Sequence, residues 1–403
     1  MNPTKPRPVW LILLAAGCIV GMAMGLRQVM GLYLRPVTQD LGIGREPFSN
    51  AMGLANLVWG LGAALSGAIA DRYGAGRVIA SAALCTLAGL VVMGMAQSST
   101  GLMVSGVLLG LGVSGTGITA LVGAVSRAVP AERRTAAIAS LGMSAGIGGF
   151  LAFPYAHLLI EALGWKTSLI ALAITGTAMV PMAVVLRGKP VSADGVVRTQ
   201  TLPDAFREAF SLPSFWLLTT GFFVCGFHVS FYSVHLPAYV QDKGLPAWVA
   251  VWALMSVGIA NIIGTWLAGK SGKYMQKRMG LSFIYFARAV LFAAIVFMPV
   301  TPVTVIGISA TLGLFWLSTI PLTSSMVATF FGTGWMSMLF GFVFLSHQLG
   351  SFLGLYMAGI LYDATHSYDA MWWISSGLGL IAAAFNWPIK ERPVARMLVA
   401  AAE

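Results

Sequence analysis

The chain has 403 residues, of which 58% are hydrophobic and 9% are charged. Since soluble domains carry about 25% charged residues, this chain has too little polar surface to cover a water-soluble particle of its size. The composition therefore excludes a soluble protein and predicts an integral membrane protein. A net charge of +11 would indicate a nucleic-acid partner in a soluble protein, but in a membrane protein the distribution of that charge among the loops decides its meaning.

Runs of about 20 apolar residues are long enough to cross the hydrocarbon core as helices. Twelve such runs are present, which predicts an all-α membrane protein with twelve transmembrane helices. They lie at residues 10–33, 48–70, 78–97, 101–127, 135–161, 166–187, 213–239, 247–269, 281–299, 303–330, 335–361 and 369–388.

Lys and Arg residues are spread unevenly among the loops. With the N-terminus in the cytoplasm, eighteen of the 24 basic residues fall on the cytoplasmic side and four on the opposite side. Because cytoplasmic loops are enriched in Lys and Arg, this split predicts a multi-pass protein of the inner (plasma) membrane with both termini in the cytoplasm. It also accounts for the net charge without nucleic acid.

The longest polar stretch, residues 188–212, follows the sixth run. It predicts a cytoplasmic linker between an N-terminal six-helix bundle (1–187) and a C-terminal six-helix bundle with a short cytoplasmic tail (213–403). Within the linker, Leu202–Ala209 has the pattern of a short amphipathic surface helix.

The two halves repeat each other, as do the bundles of many secondary transporters. The matching segments are Gly25-Leu26-Arg27 with Gly226-Phe227-His228 (offset 201), Gln39-Asp40-Leu41-Gly42 with Gln241-Asp242-Lys243-Gly244 (202), Ser144, Gly148 and Phe150 with Ser346, Gly350 and Phe352 (202), and Leu109-Gly110-Leu111 with Leu312-Gly313-Leu314 (203). The first match pairs Arg27 with His228.

Arg27 lies about seventeen residues into the first run. A guanidinium in hydrocarbon costs about 2.5 to 17 kcal/mol, so such a residue normally faces a protein interior or a watery cavity. Its planar fork matches a carboxylate at two points, which makes Arg27 the leading candidate for binding an anionic substrate. The alternative is a structural arginine bonded to helix-end carbonyls or to a tyrosine. Arg288, in the ninth run, is expected to reach the interface by snorkelling.

All thirteen acidic residues lie in loops or at the ends of the runs. His228 and His347 are therefore the candidate proton carriers as well as candidate substrate contacts, since imidazole titrates near neutrality. The alternative for each is a neutral imidazole that hydrogen-bonds between helices. Trp59 is expected to shape an apolar wall or to pack. The other candidate substrate-binding residues, each equally suited to an interhelical hydrogen bond, are Gln28, Asn56, Tyr232, Asn261 and Gln348.

A glycine-rich motif stands between the second and third runs. It comprises Gly67, Asp71, Arg72, Gly74 and Arg77, with a degraded copy at residues 269–273. The motif closely resembles the cytoplasmic loop signature of the major facilitator superfamily. That resemblance implies a tight turn at the glycines and a conformational role for the Asp and basic residues, which hold neighbouring helix ends without contacting substrate.

Within that superfamily the chain resembles the monocarboxylate-transporter and oxalate/formate-antiporter branch. The similar segments are Gly25-Leu-Arg27-Gln-Val-Met-Gly31-Leu-Tyr33, Gly164-Trp165-Lys166, and Phe340-Gly341-Phe342-Val-Phe-Leu-Ser346-His347-Gln348-Leu-Gly350. The resemblance implies that Arg27 is the branch's basic residue of the first helix, that Arg27 and His228 face each other across a central cavity, and that the protein acts as a monomer. The branch also uses an acid–arginine pair in the eighth helix, whereas run 247–269 has no charged residue in its interior, so the branch's proton-coupling mechanism is not carried over.

These features predict a secondary active transporter that moves a small organic anion, a carboxylate, by alternating access with proton coupling. Two alternatives stay open: an exporter of amphipathic or drug-like compounds, in which Arg27 is structural, and an anion exchanger driven by a counter-substrate. The sequence has no G-x-x-x-x-G-K-[ST] nucleotide motif, so an ion or substrate gradient must supply the energy. Because the runs hold neither paired acids nor a metal-ligand cluster, we expect no cofactor, no metal and no enzymatic activity.

Overall fold

The computed structural model describes residues 8–129, 134–187, 201–272, 274–332 and 335–394. Regular structure in these residues is entirely helical. The α-helices are α1 (Val9–Gln28), α2 (Leu34–Leu41), α3 (Arg45–Tyr73), α4 (Ala75–Met95), α5 (Ser99–Thr116), α6 (Ile118–Ala128), α7 (Arg134–Gly176), α8 (Met179–Val185), α9 (Leu202–Phe210), α10 (Pro213–Asp242), α11 (Ala247–Ser271), α12 (Lys277–Phe297), α13 (Pro302–Leu314), α14 (Thr319–Phe331), α15 (Met336–Thr365) and α16 (Asp369–Asn386).

Nine helical stretches of the described residues are long and apolar enough to cross a membrane. One of them, Ser140–Val185, contains Gly164, whose φ of 72° and ψ of 166° break α7 into two helices. Two further long helices, α3 and α16, coincide with the predicted runs at 48–70 and 369–388. All twelve predicted runs therefore coincide with helices, although length and composition by themselves mark out nine spans.

Four of the spans are interrupted within the described residues. The sixth breaks over residues 177–178, between α7 and α8. The first runs as α1, a 3-10 segment over Val29–Tyr33, and then α2. The fourth breaks at Gly117, between α5 and α6, and the tenth breaks over residues 315–318, between α13 and α14. Each interruption frees backbone groups, which in a membrane must find partners inside the protein or in a watery cavity. Polar side chains are therefore expected beside these interruptions.

The chain divides into two compact units, Met1–Ser192 (unit 1) and Ala193–Glu403 (unit 2). Of the predicted linker, residues 188–200 lie outside the described part of the chain. The predicted short helix is present as α9, whose N-terminus is capped by the Thr201 hydroxyl. Its apolar face packs on unit 2, where the rings of Phe206 and Phe210 lie 6.4 and 5.0 Å from that of Phe342.

Each unit is built on the same close approach between two helices. In unit 1, a Cβ added to Gly148 of α7 would lie 2.0 Å from the carbonyl oxygen of Gly21 in α1. In unit 2, a Cβ added to Gly350 of α15 would lie 2.0 Å from the carbonyl oxygen of Phe223 in α10. Both partners of one pair are related to those of the other by an offset of 202 residues.

A second pair of contacts repeats with an offset of 203 residues between the glycines and 202 between their partners. An added Cβ at Gly110 of α5 would lie 2.5 Å from the Ala55 carbonyl oxygen of α3, and one at Gly313 of α13 would lie 2.7 Å from the Val257 carbonyl oxygen of α11. Small residues allow helices in lipid to approach this closely, where van der Waals packing drives their association. The sequence repeat is thus a repeat of backbone packing inside each unit.

Candidate functional site

Arg27 lies at the end of α1, where the α-helix gives way to the 3-10 segment. Its Nη2 donates to Oδ1 of Asn56, a residue of α3, at 2.8 Å. Its Cζ lies 4.6 Å from the ring centroid of Trp59, one helical turn beyond Asn56, in a cation–π contact. The residues Arg27, Asn56 and Trp59 are here named the Arg27 site.

No carboxylate of the described residues pairs with Arg27. Among the acids of unit 1, Asp40 pairs with Lys166 (2.7 Å) and Glu161 with His157 (3.3 Å). A guanidinium has five N–H donors, of which Asn56 takes one. Arg27 is also only partly buried. The Arg27 site therefore carries a positive charge and hydrogen-bond donors that an anion can use.

Two other elements of unit 1 approach Trp59 and Gln28. A Cβ added to Gly117, at the break between α5 and α6, would lie 3.8 Å from Trp59 Nε1. A Cβ added to Gly149 of α7 would lie 2.7 Å from both the Nε2 and the Oε1 of Gln28. Gln28, predicted as a substrate contact, thus packs against the backbone of α7 at Gly149, where the absence of a side chain leaves it room.

His228 does not occupy the position in unit 2 that Arg27 occupies in unit 1. Because the close contacts of the two units are related by 202 residues, His228 corresponds to Leu26, and Arg27 corresponds to Val229. The predicted offset of 201 for this pair is wrong by one residue. One residue along an α-helix turns a side chain by about 100°, so the two side chains leave their helices in different directions.

The His228 side chain is 0% exposed and lies inside unit 2. Its Nε2 donates to the carbonyl oxygen of Ser375 in α16 at 2.8 Å, and its ring lies 4.6 Å from that of Phe292 in α12. Substrate does not reach the ring in this conformation. This placement fits the interhelical hydrogen bond that was the alternative for His228.

His347 is 7% exposed and lies on α15. Its Nδ1 donates to the Oε1 of Gln348 at 3.1 Å, and its ring stacks on that of Phe344 at 5.8 Å between centroids. Ser351 also donates to Gln348 Oε1, at 3.4 Å. These bonds fix the His347 ring while leaving its Nε2 edge outside the pair with Gln348.

Tyr232 and Asn261 are held by bonds within unit 2. The Tyr232 hydroxyl lies 2.7 Å from Ser309 Oγ, and its ring borders an apolar cavity of about 290 Å³. Asn261 Oδ1 accepts from the Leu317 backbone N–H at 2.9 Å and from Thr265 Oγ1 at 3.2 Å. Both predicted substrate contacts therefore have structural partners.

The glycine-rich motif forms the turn between α3 and α4. Gly74 has a φ of 95°, a conformation that a side chain would strain. Arg77 is exposed in the first turn of α4, and an added Cβ at Gly67 would meet open space. The side chains of Asp71 and Arg72 lie outside the described part of the structure. The expected tight turn is thus present, and the conformational role of the motif stays a prediction.

The chain has two helical units with repeated internal packing and many apolar spans, and one span carries a charged site in its interior. These features define a polytopic membrane transporter. Residues 9–355 match the family model of the Major Facilitator Superfamily, and the chain belongs to that superfamily. It is accordingly a multi-pass membrane protein and a secondary transporter rather than an enzyme.

Similar proteins cover almost the whole chain at low identity. The oxalate:formate antiporter of Oxalobacter formigenes is 24% identical, over 96% of this chain and 94% of its own. Monocarboxylate transporter 11 of Mus musculus is 25% identical, over 91% of this chain and 84% of its own. The structure of an unoccupied bacterial homologue of the human lysosomal transporter Spinster superposes with a TM-score of 0.79 at 14% identity, covering 96% of this chain and 97% of that one. This last similarity establishes the fold.

Proposed function

We propose that the protein transports a small monovalent organic anion, a carboxylate, by alternating access. The observation that supports this most strongly is the Arg27 guanidinium, which is bonded to one neutral acceptor, Asn56, and to no carboxylate of the described residues. An arriving carboxylate would neutralise that charge and bond the remaining donors. Because a neutral pair costs far less than a bare cation in an apolar surround, substrate binding would ease the closure of the site around it.

The number of interior cations favours one negative charge on the substrate. The sequence has two arginines inside its predicted runs, Arg27 and Arg288. Arg288 is 0% exposed, and its Nε and Nη2 donate to backbone carbonyls. Arg27 is therefore the cation that a substrate can reach. A monocarboxylate would leave no net charge in the site, whereas a dicarboxylate would bring a second charge with no partner.

Relatives at low identity point to the same chemistry. Several are named monocarboxylate transporters, and one is named an oxalate:formate antiporter. The antiporter makes exchange against a counter-substrate a second mode of coupling to test beside proton coupling. His347 is the proton carrier we propose, because its side chain is less enclosed (7% exposed) than that of His228 (0%).

We place the transporter in the inner (plasma) membrane, as a monomer with both termini in the cytoplasm. The support is the excess of Lys and Arg in the loops assigned to that side. Labelling of single cysteines introduced into loops of intact cells would test the orientation: an impermeant reagent should reach residue 166 and not residue 77.

The function is tested with purified protein in liposomes. Uptake of short radiolabelled monocarboxylates and of dicarboxylates of matched length is measured with and without an inward proton gradient. Arg27→Gln removes a charged, forked donor set, so we expect it to weaken anion binding by about 3 kcal/mol or more, which is over a hundredfold. Arg27→Lys keeps the charge without the fork and should be intermediate.

The results of this assay distinguish symport, exchange and export. Saturable monocarboxylate uptake that follows the proton gradient supports symport. Uptake that ignores that gradient and is driven by internal carboxylate supports exchange. Absence of carboxylate uptake under both conditions, or full activity in Arg27→Gln, would refute the anion site and favour an exporter of amphipathic compounds.

A further inference from the structure

Arg288 sits on the interruption between α13 and α14. Its Nε and Nη2 donate to the carbonyl oxygen of Phe315 at 3.0 and 2.6 Å, and Nη2 also donates to the carbonyl oxygen of Trp316. The side chain is 0% exposed. The snorkelling expected of it does not occur, because acceptors freed by the broken helix lie closer than the interface does.

Two further helices hold the same interruption. Asn261 of α11 accepts the Leu317 N–H at 2.9 Å, and Cys225 Sγ of α10 lies 3.3 Å from Thr319 Oγ1. With Arg288 on α12, three helices therefore each place a polar side chain against residues 315–319. The break is bound on its carbonyl side by a cation and on its N–H side by an amide oxygen.

The chemistry of the carbonyl side resembles a cation site. Phe315 and Trp316 follow the C-terminus of α13, where the helix dipole places partial negative charge. In transporters with interrupted helices, such carbonyl ends coordinate a coupling Na⁺ or H⁺. Within the described residues no carboxylate pairs with Arg288, and its Nη1 has no hydrogen-bond partner. Its positive charge is thus compensated by helix-end carbonyls.

We propose that Arg288 is a tethered cation, which supplies from the chain itself the positive charge that a bound ion supplies at other interrupted helices. Unit 2 consequently needs no alkali-metal cation to hold α13 and α14 in register. The proposal goes beyond the anion transport proposed above, because it holds for any transported solute. It also distinguishes Arg288 from Arg27, whose charge is open to substrate.

Chemical rescue tests the tethered cation on the purified full-length protein. Thermal unfolding is followed in choline chloride for the wild type, for Arg288→Ala and for Arg278→Ala. Arg278 is a matched control, since it lies on the same helix and also donates to a carbonyl, that of Trp387 at 2.9 Å. It is partly exposed, so water can replace this hydrogen bond. We expect Arg288→Ala to unfold several degrees lower, and millimolar methylguanidinium to restore at least half of that loss. Methylurea, which is neutral and similar in shape, should restore none.

Equal effects of methylguanidinium and methylurea, or wild-type stability of Arg288→Ala, would overturn the proposal. If the alanine variant cannot be purified, Arg288→Lys and Arg288→Met replace it: a lysine variant more stable than the methionine variant supports a role for charge, and equal stability refutes one. Wild-type stability should be the same in sodium, potassium and choline salts, and a requirement for one alkali cation would also refute the proposal. These readouts need no substrate, so their failure is separate from failure of the anion assay.

Discussion

Replacing Asn56 by aspartate would place an internal anion where we propose that substrate binds. Asn56 Oδ1 already lies 2.8 Å from Arg27 Nη2, so Asn56→Asp puts a carboxylate against the guanidinium without moving either helix. At a charge separation of about 4 Å and an effective dielectric constant of about 20, that pair is worth about 4 kcal/mol. Since 1.4 kcal/mol is tenfold, substrate would bind up to about a thousandfold more weakly.

The variant should lose transport while gaining stability, because its carboxylate compensates a charge that the wild type leaves without an acidic partner. The assay is monocarboxylate uptake into liposomes over a range of concentrations and pH, with thermal unfolding measured on the same preparation. Asn50→Asp is the control, since it adds the same charge to the same helix beside Glu46 and should leave the KM for substrate unchanged. An Asn56→Asp protein with wild-type KM, or with reduced thermal stability, would refute the view that Arg27 carries an uncompensated charge.

Two further predictions concern packing and protons. Gly148→Ala would place a methyl 2.0 Å from the Gly21 carbonyl oxygen and should lower stability by about 1 to 3 kcal/mol or prevent folding. Gly142→Ala on the same helix meets open space and should raise stability by up to about 1 kcal/mol. Thermal unfolding of both variants tests this, and equal stabilities would contradict the packing argument. For proton coupling, His347→Gln should abolish the response of uptake to a proton gradient, while His228→Gln should keep it. Uptake is measured in liposomes at a fixed substrate concentration. The opposite pattern would indicate that His228 is the proton carrier.

The helices, the repeat and the family signature could be predicted from the sequence because each depends on local composition. Apolar runs of membrane-spanning length mark helices wherever they occur, and Gly148 and Gly350 recur because both units need the same close approach. The register of the repeat was harder to predict. The short match around Arg27 and His228 gave an offset of 201, while the contacts of Gly148 and Gly350 establish 202. An error of one residue changes which side of a helix a side chain occupies.

The two interior arginines show why the roles of individual residues could not be predicted. In the sequence, both are cations within apolar runs with no acid nearby. The difference arises from the fold. Arg288 faces a break whose free carbonyls accept hydrogen bonds from its Nε and Nη2. Arg27 faces the unbroken helix α3, which offers it one amide oxygen and one indole ring. A charge bonded to backbone carbonyls stabilises the fold at any stage of transport. The uncompensated charge of Arg27 destabilises its site until an anion binds. A transporter can use this difference in free energy between the empty and the loaded site to make closure depend on its substrate.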